Sequence, residues 1–299
     1  MPVKRRDDSG IAGVVGFVLL FAVALAIFAR SVHTDLPAYG AEAERSWDGD
    51  VASAFRQADA ALALHDGPPA TISVPPPPDP RALDAPLLGH AEPVRATGVV
   101  AFVPSCAAFT ATHTLANGST VSDVWGGSTG CLTFLAATPY SAPFGERIEF
   151  GGVLRVQGGR AVVVQGPPVE LTITSPTVYR VSLGLSGLRG PAATFSIDRV
   201  PVRVDLVPGP STAELEQAPN AASAQWTLAT QYPGAWKAWW SARIDQSGFA
   251  GASVVCQPVD CSLGATGRGF VIISLAGPAA SGADMRLSVA YGLTNVGLR

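Results

Sequence analysis

Residues 11–29, IAGVVGFVLLFAVALAIFA, form an unbroken run of 19 uncharged, almost wholly apolar residues. Coiled as an α-helix at 1.5 Å per residue, the run extends about 28 Å, close to the thickness of a bilayer's hydrocarbon core. No other stretch of the 299-residue chain approaches it, so the sequence predicts a single membrane span. Lys4, Arg5 and Arg6 precede the run, and a mostly acidic stretch follows Arg30. The positive-inside rule then places the N-terminus in the cytoplasm and everything beyond about residue 30 outside the cell. A cleaved secretory signal is the alternative. Its apolar region runs only ~7–15 residues and ends at a small-residue cleavage site. Ala38-Tyr39-Gly40 offers such a site, but far beyond the end of the run.

Asp7-Asp8-Ser9-Gly10 stands between the basic cluster and the run, which opens Ile11-Ala12-Gly13-Val14-Val15-Gly16-Phe17-Val18-Leu19-Leu20. This order resembles the class III signal of archaeal type IV pilin-like proteins. The resemblance implies a prepilin-type peptidase that cuts between Gly10 and Ile11 and leaves the helix on the mature chain. It also implies other pilin-like subunits as partners, beside the lipid bilayer. Ser9 stands where those proteins usually carry a basic residue, and Val15 where bacterial pilins carry Glu.

Beyond the span, residues 35–92 carry ten acids and three arginines. Within them, 41–64 reads as a helix, because Trp47, Val51, Phe55, Ala58 and Leu62 recur at helical spacing and share one face. Glu42, Glu44, Asp48, Arg56 and Asp59 fall mostly elsewhere. Pro37 is expected to break or kink the helix as it leaves the membrane. The apolar stripe is expected to pack on the chain's own domain, the alternative being another subunit's helix in a filament. Gly67-Pro68-Pro69 ends the helix, and Pro75-Pro76-Pro77-Pro78-Asp79-Pro80 reads as a stiff polyproline spacer.

From about residue 94 the pattern changes to short β-branched runs separated by Gly and Pro. Residues 153–157 and 160–164 flank Gly158-Gly159 and form the clearest hairpin. Further strands are expected near 99–103, 170–174, 177–183, 194–197, 200–206, 225–230, 269–275 and 285–291. Residues 233–245, PGAWKAWWSARID, read as one helix with Pro near its start. The expected fold class is therefore α+β. Residues 1–10 form a leader, 11–30 a transmembrane helix, 31–66 a helical stem and 67–93 a Pro-rich linker. Residues 94–299 form a mainly antiparallel, sandwich-like extracellular domain with one short helix. The pilin-like resemblance continues here in the order of Phe150-Gly151-Gly152-Val153, Leu183-Gly184-Leu185-Ser186-Gly187-Leu188 and Tyr232-Pro233-Gly234-Ala235-Trp236.

All four cysteines lie on the outer side. They allow three connectivities, and the sequence-local pairs Cys106–Cys131 and Cys256–Cys261 are expected. The rival is a zinc site of four thiolates, although the usual two-residue knuckles are absent. Asn117-Gly118-Ser119 is an N-glycosylation sequon and also a hairpin turn between 112–116 and 119–124. Trp236, Trp239 and Trp240 with Ile244 form an aromatic face, expected as a core plug rather than a sugar-stacking or membrane-touching surface. Glu146 and Glu149, flanking Arg147 and Ile148, read as solvated edge charges.

Gly126-Gly127-Ser128-Thr129-Gly130 matches the nucleophile-elbow pattern of hydrolases. The pattern leads into the strand-like 131–134, and the histidines, His33, His65, His90 and His113, all precede it. It is read as a Gly/Ser turn, with a His113–Ser128 pair the only enzymatic option. No cofactor or metal signature appears, and no enzyme is expected. Only 14% of residues are charged and the net charge is −3, so no basic field exists to attract nucleic acid. The sequence points to a membrane-anchored, pilin-like structural or surface protein, including a minor subunit of a type IV pilus-like filament. The alternative is a monomeric anchored module that binds a glycan or protein and does not polymerise.

Overall fold

A computed structural model describes residues 9–63, 67–78, 95–123, 128–175, 177–209, 216–218, 221–249, 251–264, 267–277 and 284–299. Residues 1–8 of the expected leader and 79–94 of the expected linker lie outside the described residues.

Helix α1 (Ser9–Arg30) passes through a π-helical turn (Ser31–Asp35) into α2 (Leu36–Ala63) without a break in helical backbone. The helix therefore continues through Pro37 instead of breaking there. A proline ring collides with the carbonyl four residues back, here that of His33, and the widened turn lies at that point. α1 is long and apolar enough to cross a membrane, and from Gly13 on its side chains stand clear of the rest of the protein. Val14, Phe17 and Leu20 are each more than 60% exposed. α2 is the opposite case. Trp47, Val51, Phe55, Ala58 and Leu62 are all buried against the β-domain, so the stripe packs on its own chain.

The strands follow in the order β1 (Ala70–Val74), β2 (Thr97–Leu115), β3 (Thr120–Asp123), β4 (Ser128–Ala137), β5 (Phe144–Glu149), β6 (Gly152–Gln157), β7 (Arg160–Gln165) and β8 (Val169–Ser175). Then come β9 (Val178–Arg189), β10 (Ala193–Ile197), β11 (Val202–Pro208), β12 (Glu216–Ala218), β13 (Ala221–Thr230), α3 (Pro233–Ser247), β14 (Ser253–Gln257), β15 (Gly269–Ala276) and β16 (Asp284–Leu298). β1 lies inside the stretch read as linker. It pairs with β11, with Ile72 opposite Val204, and its apolar residues Ile72 and Val74 turn to the core.

One half of the sheet runs β8-β9-β16-β11-β1, and the other β14-β15-β13-β2-β4-β5-β6-β7. All these pairs are antiparallel except β9–β16, which is parallel over twelve positions. The halves meet where Gly130 of β4 pairs with Leu188 of β9. A Cβ on Gly130 would strike the Phe102 ring, so only glycine lets the strands cross there.

Two cores result. In one, Val181, Leu183 and Val289 from the first half face Phe109, Trp226 and Val271 from the second, and α3 closes the end with Trp236, Trp240 and Ile244. In the other, the α2 stripe packs on Val100, Phe134, Phe144 and Ile148. The Trp47 ring meets Phe134 and Phe144 edge-on at 5.5 and 5.6 Å. Its indole N–H donates to the Pro75 carbonyl at 3.0 Å. β5 stands between the cores: Phe144 and Ile148 face α2, and Glu149 on the alternate face reaches Trp236 of α3.

Phe55→Ala should remove the centre of the α2 stripe and cost about 3–5 kcal/mol. Urea unfolding of the full chain in detergent measures this, and a loss below 1 kcal/mol would mean α2 is not part of the core.

Candidate functional site

β5 reads Phe-Gly-Glu-Arg-Ile-Glu, and every one of its residues is buried. The reading of Glu146 and Glu149 as solvated edge charges is therefore overturned. The strand has β4 and β6 on its two edges, α2 over one face, and Gln231, Tyr232 and Trp236 over Arg147 and Glu149 on the other, so neither phase of its alternation reaches water.

Glu149 faces α3 and is wholly buried. Its Oε1 accepts the Trp236 indole N–H and the Thr230 hydroxyl, both at 2.5 Å. Its Oε2 accepts Arg147 Nε at 3.0 Å. The Arg147 guanidinium also donates to Gln231 Oε1 at 2.6 Å, lies 3.0 Å from the Cys131 sulfur and sits over the Tyr232 ring. Three donors on one carboxylate make a satisfied buried ion pair that ties β5 to the end of β13 and to α3. The turn after Glu149 is equally constrained. Phe150 and Gly151 both have positive φ, as a two-residue hairpin turn demands. The Phe150 ring is held against Trp236 at 5.8 Å.

Glu146 faces the other way, into the α2 seam. Arg155 on β6 donates to Glu146 at 3.4 Å and to Asp48 of α2. Burial pushes the Glu146 carboxyl up to about 7, with Arg155 and Arg56 pulling it down and Asp48 pushing it further up. Asp59, a turn before the end of α2, is 3% exposed and accepts Gln165 Nε2 of β7 at 2.6 Å. Burial pushes it to about 7 as well, with Gln165 opposing. Glu44 is also buried, with both oxygens 3.2 Å from the Tyr140 amide. The acids that the helical pattern assigned mostly away from the stripe thus include three that border it and face the sheet.

The cysteines pair as expected. Cys106 of β2 joins Cys131 of β4 with Cα atoms 5.9 Å apart, and Cys256 joins Cys261 at 5.1 Å. All four are consumed, which overturns the four-thiolate zinc alternative. Among the described residues no group of three or more His, Cys, Asp or Glu is placed to hold a metal ion.

Asn117 lies exposed at the tip of the β2–β3 hairpin. Its Oδ1 accepts the Ser119 amide at 2.9 Å and the Ser119 hydroxyl at 2.6 Å. The turn is closed by Gly118 N–H donating to the Leu115 carbonyl at 2.9 Å. Gly10 and Ile11 fall in the first turn of α1.

Ser128 opens β4, and its hydroxyl bonds that of Ser105 at 2.8 Å. A strand follows Ser128 where an elbow needs a helix. Gly126 and Gly127 lie outside the described residues. His113 sits five residues beyond Ala108, the β2 partner of Ser128, or about 17 Å along the strand. The structure does not bring the two together. Trp236 and Trp240 are fully buried, so the aromatic face is a core plug. Trp239 is half-buried and packs edge-on against Trp240 at 5.0 Å. An open groove between α3 and β8 is lined by Val169, Leu171, Arg243, Gln246 and Ser247.

Comparison with protein-family models, with curated proteins and with solved structures finds no match to this chain.

Arg147→Met should strand Glu149 as a buried unpaired charge and cost about 3–5 kcal/mol in urea unfolding. Adding Glu149→Gln should restore part of that loss. A single variant as stable as the parent would show that the pair is not buried. Non-reducing peptide mapping should recover 106–131 and 256–261 linkages, and four free thiols would contradict both.

Proposed function

We propose that this is a single-pass, pilin-like surface protein, with its N-terminus in the cytoplasm and its β-domain outside. It serves as a structural subunit, including a minor subunit of a type IV pilus-like filament. The observation that carries this reading is the division along one helix. α1 keeps its apolar surface free of the β-domain, while α2 is a core element of that domain. A helix of this kind places lipid, or other helices, around its first half and a folded head around its second.

Two disulfides suit an oxidising exterior. A Cβ added at Gly13 or Gly16 would meet nothing within 4 Å beyond their own helix, and such small residues allow close helix approach in a membrane. Cleavage after Gly10 is a hydrolysis: water adds across the Gly10–Ile11 peptide bond and frees the Ile11 amine. It removes Lys4–Arg6, the charges that hold the helix end at the cytoplasmic surface. The helix can then leave the bilayer and join others. Asn117, exposed at its hairpin tip, is the position for a glycan.

The second reading, a monomeric anchored binding module, draws on the fate of the α2 stripe. That stripe is fully used inside the chain, so among the described helices it is α1 that keeps an apolar surface to meet a neighbour's helix.

N-terminal sequencing of native protein should give Ile11. Gly10→Trp should leave the leader in place while the protein still enters the membrane. A native start at Met1 or Pro2 favours the anchored module, and one near Ala41 would favour an ordinary secreted protein. Purified surface filaments that contain the chain would decide for the subunit.

A further inference from the structure

The seam between α2 and β5–β7 is undersupplied with positive charge. From α2 it receives Asp48, Asp59 and the single cation Arg56. From the sheet it receives Glu146 on β5, Arg155 on β6 and the neutral Gln165 on β7. Glu44, lower on α2, is held by the Tyr140 amide. Arg147 and Glu149 face the opposite side of β5 and satisfy each other. Arg155 therefore serves two carboxylates, and the hydrogen bond given to Asp59 comes from an uncharged amide. Three buried oxygens of this seam, Asp48 Oδ1, Asp59 Oδ1 and Glu146 Oε2, have no hydrogen-bond partner among the described residues.

A buried carboxylate oxygen without a donor is costly when charged and far less so when the group carries a proton. We infer that this seam is a proton-stabilised clamp, which holds the β-domain on its membrane helix most firmly in a mildly acidic medium and loosens as the medium becomes neutral. The placing of that medium outside the cell rests on the proposed topology; the clamp itself does not.

The sign follows from linkage. Glu146 and Asp59 bind their protons more tightly when α2 is docked than when it is open to water. Their contribution is fully present below their ordinary values, near 4, and is lost as pH rises to about 7. Within that window each carboxyl changes the opening equilibrium by about tenfold per pH unit, and above it the effect levels off. The apolar stripe holds α2 in place throughout, so the protons set how often the seam opens rather than whether it forms.

Hydrogen exchange of α2 peptides, corrected for intrinsic rates, tests this on the full chain in detergent at pH 5 and pH 7.5. Protection of α2 should fall at least about tenfold at the higher pH, while α3 stays unchanged. Asp59→Asn with Glu146→Gln should abolish most of that fall. Phe55→Ala should weaken protection at both pH values and keep the fall. An α2 protection that is flat or rises with pH would overturn the clamp, as would a double variant that retains the parent's fall. Because the readout uses purified protein, a failed clamp and a failed topology are told apart by the N-terminal sequence of the native chain.

Discussion

The arrangement depends on β5 being covered on both faces. A strand with neighbours on both edges has only its two side-chain faces left, and here one lies under α2 and the other under the junction of β13 and α3. Its charged residues cannot reach water in either phase, so each face must hold its own counter-charge. Glu149 finds Arg147 two residues back on the same strand, and Glu146 finds Arg155 across on β6. The two helices are thereby fixed against one strand. A displacement of α2 is felt at β5, and α3 is tied to β5 through Trp236 and Glu149.

The two faces differ in how completely they are satisfied. On the α3 face one carboxylate receives three donors, and the adjoining disulfide closes β2 to β4 beside it. Such a network rigidifies a core because every member is paired. On the α2 face several carboxylates compete for few donors, and the docking energy comes chiefly from apolar area. Each of Trp47, Val51, Phe55 and Leu62 supplies roughly 1.5–3 kcal/mol by leaving water. The polar groups there modulate a contact that the stripe makes.

Much of this was legible in the sequence. The apolar run, the stripe from Trp47 to Leu62, the Gly158-Gly159 hairpin, the Trp-rich helix and both cysteine pairs each rest on local pattern, and local pattern survives folding. What escaped was set by tertiary cover. Glu146, Arg147 and Glu149 place charge on both faces of one strand, which reads as exposure unless the cover is known: Arg155 lies on the next strand of the hairpin, but α2 and Trp236, which bury the two faces, are distant in sequence. The flanking Phe144 and Phe150 were the signal that the strand runs through a core. β1 escaped because Ala70–Val74 is a short run set among prolines, and its partner β11 lies some 130 residues away. The sequence shows β2 as two pieces, near 99–103 and 112–116, with Pro104 and Ser105 between them. It in fact continues through an irregularity between Val103 and Ala107, where Ser105 adopts positive φ.

The continuity of the long helix constrains how α1 and the β-domain can move. No loop separates α1 from α2, so any motion of the β-domain relative to α1 has to bend a helix. Buried contacts begin at Gly40, and the apolar run ends just before Arg30. Between them lie the π-helical turn and Pro37, where one backbone donor is missing and the helical ladder is widened. Above this interval α2 is stiffened by the domain, and below it α1 is long, apolar and regular. Bending of the rod must therefore concentrate at residues 31–37, just outside the expected membrane surface. Force applied to the β-domain reaches α1 through that turn, and the α2 contacts decide how much of the helix beyond it behaves as part of the domain.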